Sequence, residues 1–371
     1  MKKLTPEEIS RYARHLPIPD FGTAAQEKLK AARVLVVGAG GLGSPLLLYL
    51  AAAGVGTIGI VDDDRVDLTN LQRQVLYTTR DIGQSKVEIA RQKIRDLNPH
   101  VQVNIYPERL TRQNAEKIIQ KYHVVADGTD NFPTRYLVND ACVLFDKINV
   151  YASIFRFEGQ VSVFNYLTVK GERGPNYRDL FPVPPPPALV PDCATGGVLG
   201  VLPGIIGSMQ ASEVIKVITG IGEPLAGRLF LFDAADFSTR TLKIKKQPST
   251  KISELIDYEI FCGLKMEAPS GYLELSLQAF HELQKDAASF QLIDVREPAE
   301  YAIDHISDSQ LIPLSTLTKQ LDEIFDTGKV VVYCQSGQRS RKAIQRILEK
   351  DKNVELYNLT GGLTAYRKAY P

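Results

Sequence analysis

Apolar runs alternate with amphipathic stretches along the first part of the chain. Val34-Leu35-Val36-Val37 is unbroken and predicts a strand buried on both faces, and Ser44 onward predicts a helix. Thr57–Val61 predicts a second short strand. Helix patterns over Ser85–Leu97 and Arg112–Tyr122 alternate with strand-like Val101–Tyr106 and His123–Asp127. Alternation of this kind predicts an α/β domain with a mainly parallel, doubly wound, Rossmann-like sheet. After Tyr151 the texture changes. Gly159–Phe164 predicts sheet with one solvated face, and Pro182–Pro187 an extended, non-helical crossing. A second alternation begins near Gly271, with strand-like Ser289–Val295 and Lys329–Tyr333 bordered by helical stretches. The pattern therefore predicts a first domain over residues 1–248, a polar linker over 249–270 and a smaller α/β domain over 271–371.

Composition narrows the classes. A chain of 371 residues suits two cores better than one. The formal net charge of +1 gives no reason to expect nucleic acid or an anionic membrane as partner. The segment Met1–Glu8 is too charged for a signal peptide. No charged residue occurs from Val34 through Val61, a length that could span a bilayer, but glycines from Gly38 to Gly59 interrupt it. Strand, turn and buried helix explain that stretch better than a membrane span. The four cysteines, Cys142, Cys193, Cys262 and Cys334, form no Cys-x-x-Cys pair, so a reduced, cytoplasmic setting is expected.

Candidate chemistry begins at Gly38-Ala39-Gly40-Gly41-Leu42-Gly43, between a predicted strand and a predicted helix. Glycines there let backbone approach a phosphate lying on the helix N-terminus. Asp62 ends the second strand, where a carboxylate holds a ribose hydroxyl. Alone, this fingerprint favours a dinucleotide enzyme. Asn70, Arg73 and Lys86 follow, however, and Asp130-Asn131 ends another strand. Two cations and an amide suit a triphosphate, and Asp130 supplies the carboxylate that Mg2+ needs beside it.

With these pieces the chain from about Leu4 to Ile244 resembles the adenylating domain of the ubiquitin-activating (E1-like) superfamily, closest to the molybdopterin-synthase and thiamine-pathway activating enzymes. The matching stretches are Arg11–Arg14, the glycine loop, Asn70–Gln74, Asp127–Asn131 and Gly204–Ala211. The resemblance implies a ubiquitin-like sulfur-carrier protein ending in Gly-Gly, whose terminal carboxylate attacks the α-phosphate of ATP. It implies that Asp62 holds the ribose, that Asn70, Arg73 and Lys86 hold phosphates, and that Asp130 organises magnesium. It also implies a homodimer in which Arg14 completes the neighbouring subunit's ATP site.

The second domain carries Cys334-Gln335-Ser336-Gly337-Gln338-Arg339-Ser340 between a predicted strand and a predicted helix. A thiol cradled by backbone N–H groups with Arg339 nearby should have a lowered pKa and should stabilise a persulfide anion. A phosphotyrosine-phosphatase loop needs five residues between Cys and Arg, and only four stand here. With Leu292–Tyr301 and Gly361-Gly362, the region from about Gly271 resembles a rhodanese domain. Asp304–Ser309 departs from the family's usual Gly-His-Ile-Pro-Gly-Ala-like run. The resemblance implies an upstream sulfur donor, a cysteine desulfurase or thiosulfate. Resemblance to fused activating enzymes implies that Cys193, in the loop after the prolines, attacks the acyl-adenylate; the residue alone reads equally as a structural cysteine. Cys142 reads as core, and Cys262 falls in the expected linker.

Many such adenylating domains hold zinc with two Cys-x-x-Cys pairs. Here Asn176–Asp179 and Lys246–Thr250 stand in their places, so no structural zinc is expected. Two other readings compete: an NAD-dependent oxidoreductase with a rhodanese appendage, and an inactive carrier-docking scaffold. The first leaves Asn70, Arg73, Lys86 and Asp130 without a task, and retention of every ATP-site position argues against the second.

Overall fold

Strand β1 (Arg33–Val37) carries four fully buried apolar residues in succession, which requires cover on both faces of the sheet. It pairs in parallel with β2 (Thr57–Val61) on one side and β4 (Val124–Asp127) on the other. Beyond them lie β3 (Gln102–Tyr106) and β5 (Ile148–Phe155), also parallel. The antiparallel strands β6 (Glu158–Phe164), β7 (Arg228–Asp233) and β8 (Thr239–Lys243) complete an eight-stranded sheet of order β3-β2-β1-β4-β5-β6-β7-β8. The computed structural model describes residues 3–168, 171–185, 197–247, 251–264, 271–285, 290–324, 328–349 and 354–370. These fall into two compact units, Met1–Lys265 and Met266–Pro371.

Helices α1 (Pro6–Arg11) and α2 (Gly22–Ala31) precede the sheet. Helix α3 (Gly43–Ala53) follows β1, and α4 (Lys86–Leu97) follows the loop after β2. The helix expected over Arg112–Tyr122 is shorter, α5 (Ala115–Ile119), because the Asn114 side chain accepts from the backbone of Thr111 and closes a turn first. Then come α6 (Phe132–Leu144), α7 (Tyr177–Leu180) and the long α8 (Leu202–Thr219). Among the described residues no helix is long and apolar enough to cross a membrane.

Two expectations need correction. β6 has no solvated face: Val161 packs with Leu202 and Ile206 of α8, and Phe164 packs on the opposite side against Tyr151 and Tyr177. Nor is 249–270 a free linker throughout. Helix α9 (Tyr258–Phe261) packs into the first unit, where Phe261 meets Tyr136 edge-on and Tyr258 Oη donates to Asp140 at 2.9 Å. Polar composition hid that helix because only a few apolar side chains, Tyr258, Phe261 and the adjoining Cys262 among them, carry its packing.

The proline run is described only through Pro185, and Cys193 lies outside the described residues.

The second unit is a five-stranded parallel sheet, order β11-β10-β12-β13-β9. Its strands are β9 (Tyr272–Leu275), β10 (Gln291–Asp294), β11 (Gln310–Leu311), β12 (Lys329–Tyr333) and β13 (Glu355–Leu359). Helices α10 (Leu277–Lys285), α11 (Pro298–Ile303), α12 (Gln338–Leu348) and α13 (Gly362–Ala369) are interspersed with them. In the departing run, Asp308 takes the left-handed φ of +63° at a position where the family's pattern has glycine. Aspartate tolerates that conformation better than most residues.

Candidate active sites

In the first unit a cleft opens at the carboxyl ends of β1, β2 and β4. Its wall contains Gly38, Gly40, Gly41, Asp62, Arg73, Lys86, Asp130 and Asn131, eight of the expected nucleotide-site residues. The turn is sterically committed to glycine. Gly38 sits at φ +93°, and a Cβ there would lie 2.9 Å from the Gly128 carbonyl oxygen. Gly43 is absent from the wall and serves packing, since its Cβ would fall 2.1 Å from the carbonyl oxygen of Gly38. The loop is also clamped: Ala39 N–H donates to Asp62 Oδ2 at 2.7 Å, and Tyr77 Oη donates to the Ala39 carbonyl at 2.8 Å. Burial holds the Asp62 carboxyl above its ordinary value, and Lys86 and the N–H groups of Ala39 and Asp64 offset only part of that rise. Each Asp62 oxygen receives one backbone N–H, which leaves lone pairs for a hydroxyl.

Lys86 is buried to its tip, with Nζ 2.7 Å from Oδ2 of the exposed Asp64. Arg73 donates to the Thr69 carbonyl at 3.0 Å and flanks Gly41. Asp130 is exposed, beside the Asn131 amide at 3.5 Å. Asn131 also caps α6, accepting from Thr134 N–H at 3.0 Å. Asn70 does not line the cleft; its side chain accepts from Asp67 N–H and closes a short 3-10 turn. Arg14 is exposed and likewise outside its own chain's cleft wall.

Sequence reasoning missed Arg135. It lies one turn after Asn131, buried, with its guanidinium donating to the Thr129 carbonyl at 3.1 Å and lying beside the rings of Phe132 and Tyr151. It thereby braces the loop that carries Asp130. The available signal was a cation in a helix otherwise buried nearly all round. Arg109, also in the wall, pairs with Glu259 at 3.2 Å.

Around the expected zinc position the donors do not fit the metal. Asn176 and Asp179 form a capping box, and Asp179 Oδ1 accepts from Gln247 N–H at 2.7 Å. The arrangement joins the two stretches by hydrogen bonds where four thiolates would be needed. Among the described residues the only set of three grouped acids, His or Cys is Asp62, Asp63 and Asp64, at the nucleotide cleft.

In the second unit Cys334 follows β12, almost wholly buried, and its Sγ accepts from Gly337 N–H at 3.2 Å. Burial by itself raises the thiol. Donors from the Ser340 side chain and from the backbone of Ser340, Ser336 and Gly337 outweigh it and hold the thiol below its ordinary value. The Ser340 hydroxyl lies 3.6 Å from Sγ and 2.6 Å from Asn358 Oδ1, so its one proton serves either acceptor. Gln335 is fixed on both ends: it accepts from Arg296 at 3.1 Å and donates to Thr364 at 2.9 Å. Gly362 packs under the loop, where a Cβ would meet the Cys334 carbonyl at 2.2 Å.

The two terminal nitrogens of Arg339 bind both oxygens of Glu300 at 2.5 and 2.7 Å, so its charge acts on Cys334 without a hydrogen bond, while the loop's N–H groups and Ser340 contact the thiol directly. The same contact keeps the Glu300 carboxyl near a pKa of 2. Cys142 and Cys262 are core thiols that burial pushes up, Cys262 to about 11.

Residues 12–253 match the ThiF family, and residues 276–369 match the rhodanese-like domain. The chain belongs to the ThiF family. It is 49% identical to the probable adenylyltransferase/sulfurtransferase MoeZ of Mycobacterium tuberculosis, over 98% of this chain and 94% of that protein. The sulfur carrier protein adenylyltransferase of Thermus thermophilus is 53% identical, covering 70% of this chain and 99% of its own length. The adenylyltransferase and sulfurtransferase MOCS3 of Drosophila grimshawi is 40% identical over 98% of this chain and 85% of its own. Among solved structures, Escherichia coli MccB shares the fold with a TM-score of 0.58 at 20% identity, covering 66% of this chain and 74% of its own. The ThiF family thus accounts for the first unit and the rhodanese-like match for the second.

Proposed function

We propose that this ThiF-family chain, an adenylyltransferase joined to a sulfurtransferase, activates the C-terminal carboxylate of a ubiquitin-like sulfur-carrier protein with ATP and supplies sulfur from Cys334. The observation that carries the first half is one cleft holding the glycine loop, Arg73, Lys86 and Asp130 together. A carboxylate is a weak nucleophile and is repelled by a triphosphate. The glycine loop brings backbone N–H groups to the phosphates, while Lys86 and Arg73 neutralise charge that builds on the departing pyrophosphate. Lys86 has three ammonium protons and gives one to Asp64, so two remain for phosphate oxygens. Magnesium, held by Asp130, would add Lewis-acid stabilisation of the same charge. Asp62 takes the ribose.

Attack on the α-phosphate gives a carboxyl adenylate, whose AMP is a far better leaving group than hydroxide. A sulfur nucleophile then displaces it. The Cys334 loop suits that role because its N–H groups stabilise thiolate and persulfide anions alike. A reduced cytoplasmic setting would keep the thiol available.

The test is exchange of labelled pyrophosphate into ATP, dependent on a carrier protein ending in Gly-Gly. Wild-type protein should catalyse it, and Asp130→Ala should lose at least about a hundredfold, the scale of removing a preorganised charge-stabilising group. Hydride transfer to a nicotinamide without exchange would instead favour the oxidoreductase reading.

A further inference from the structure

Helix α9 lies between the two matched regions, residues 12–253 and 276–369, and belongs to neither. Tyr258, Phe261 and Cys262 anchor it in the first unit's core, and Asp257 caps it by accepting from Glu259 N–H and Ile260 N–H at 3.0 and 3.1 Å. Glu259 reaches the nucleotide cleft instead. Its Oε1 lies 3.2 Å from Nη1 of Arg109, a residue of the cleft wall.

The backbone that carries Arg109 is already fixed. Asn114 Nδ2 donates to the Arg109 carbonyl and to Glu108 Oε2, both at 2.9 Å, and Asn114 Oδ1 accepts from Thr111 N–H at 2.8 Å. Packing gives the Arg109 side chain no such support. It is 50% exposed and lines both the nucleotide cleft and a second cavity, whose wall includes Arg112, Pro133, Leu137 and Tyr258. A long side chain between two open spaces keeps its rotamer freedom unless a partner orders it, and the Glu259 carboxylate is such a partner.

Strand order indicates what Arg109 faces. Phosphates lie on the glycine loop after β1, and the ribose lies at Asp62, at the end of β2. The ribose joins phosphate to base, so the base is carried on to the next strand of the sheet, the end of β3. There Leu110 offers a buried apolar wall and Arg109 a planar guanidinium. We infer that Arg109 is a nucleobase-binding residue and Glu259 the positioning residue that aligns it, so that a helix outside both family matches completes the nucleotide site. The inference rests on the adenylation reading above. A guanidinium plane is attracted to the face of an aromatic ring, and that attraction needs flatness and direction as well as charge. An ion pair at the edge of the guanidinium supplies the direction and leaves its face for the base.

The experiment uses the full chain and measures ATP affinity by calorimetry, then carrier-dependent pyrophosphate exchange. Arg109→Ala should weaken ATP binding about fivefold, the scale of one cation–ring contact at an exposed site. The KM for pyrophosphate and the kcat of exchange should stay within about twofold, because the contact is made equally in ground and transition states. Arg109→Lys keeps the charge but loses the plane, and should bind ATP as weakly as Arg109→Ala. Glu259→Gln should weaken binding about two- to threefold. Combined with Arg109→Ala it should cost nothing further, since Glu259 acts through Arg109. Unchanged ATP affinity in Arg109→Ala would overturn the inference. So would rescue by Arg109→Lys or a matching rise in the KM for pyrophosphate, either of which assigns Arg109 to phosphate charge. Additive losses in the double variant would overturn the positioning role of Glu259. A wild-type protein that binds ATP but exchanges no pyrophosphate would instead refute the adenylation reading, because affinity is measured without carrier.

Discussion

At the scale of single residues, the cysteine loop shows how charge and hydrogen bonding divide their work. An arginine five positions after a thiol invites the conclusion that it activates the thiol, yet Arg339 spends both terminal nitrogens on Glu300. Ser340 and the loop N–H groups face Sγ. Ser340→Ala should therefore raise the Cys334 pKa and slow its alkylation by iodoacetamide at pH 7 several-fold, about the effect of one lost hydrogen bond to an anion. Arg339→Ala should change the alkylation rate less than Ser340→Ala does. A larger effect from Arg339→Ala would mean that its long-range charge outweighs direct donation. Glu300 follows the opposite sign from the usual histidine case. Its folded pKa, near 2, lies below the ordinary 4.5, so the stability it contributes is complete above pH 4.5 and lost as pH falls toward 2. Because the pair is exposed, that contribution is small. Acid titration of Glu300 by NMR should place its midpoint well below that of a free glutamate.

At the scale of elements, the most informative one is the short helix α7. Its capping box, Asn176 with Asp179, stands where the resemblance would place half of a zinc site. Asp179 also reaches Gln247, so the stretches before α7 and after β8 are tied together by one carboxylate. Asp140 does parallel work, binding Arg178 with both oxygens and receiving Tyr258 Oη. Asp179→Ala should cost about 2 kcal/mol in thermal or urea unfolding, because partly buried donors lose their acceptor. Metal analysis should return no stoichiometric zinc, and a chelator should leave the melting temperature of the wild type unchanged. One zinc per chain would refute that expectation. Helix α6 makes the complementary point. Its cap Asn131, its buried Arg135 and the adjoining Asp130 make one short stretch serve as helix start, brace and candidate metal ligand. Arg135→Leu should lower carrier-dependent pyrophosphate exchange by an order of magnitude or more, through the loop it braces. Retention of exchange in a folded variant would show that the Thr129 contact is dispensable.

At the scale of the whole molecule, the two chemistries stand in separate units, and each should survive loss of the other. Cys334→Ala should keep pyrophosphate exchange and lose sulfur transfer, and Asp130→Ala should do the reverse with a small thiol acceptor. Arg14 belongs to this scale because it is exposed and outside its own cleft wall. If it completes a neighbouring subunit's site, Arg14→Ala should lose exchange while remaining dimeric. Mixing it with Asp130→Ala should then restore part of the activity, since heterodimers regain one intact site. Normal exchange by Arg14→Ala alone would remove the shared-site proposal.

The sequence by itself determined the features that depend on local chemistry. A glycine loop between an apolar strand and a helix, an acid at the next strand's end and a cysteine before a helix are readable because neighbours in the chain make them. The unbroken run Val34–Val37 and the second alternation after Gly271 likewise specify two α/β units, through burial and periodicity alone. Tertiary structure decided what depends on partners distant in sequence. It gave Arg339 to Glu300, 39 positions away, and Asp179 to Gln247, 68 positions away. It drew Tyr258 out of an apparent linker onto Asp140, 118 positions earlier, and made α9 part of the first unit's core. A charged or polar side chain announces that it needs a partner, but only the folded chain brings that partner within 3 Å.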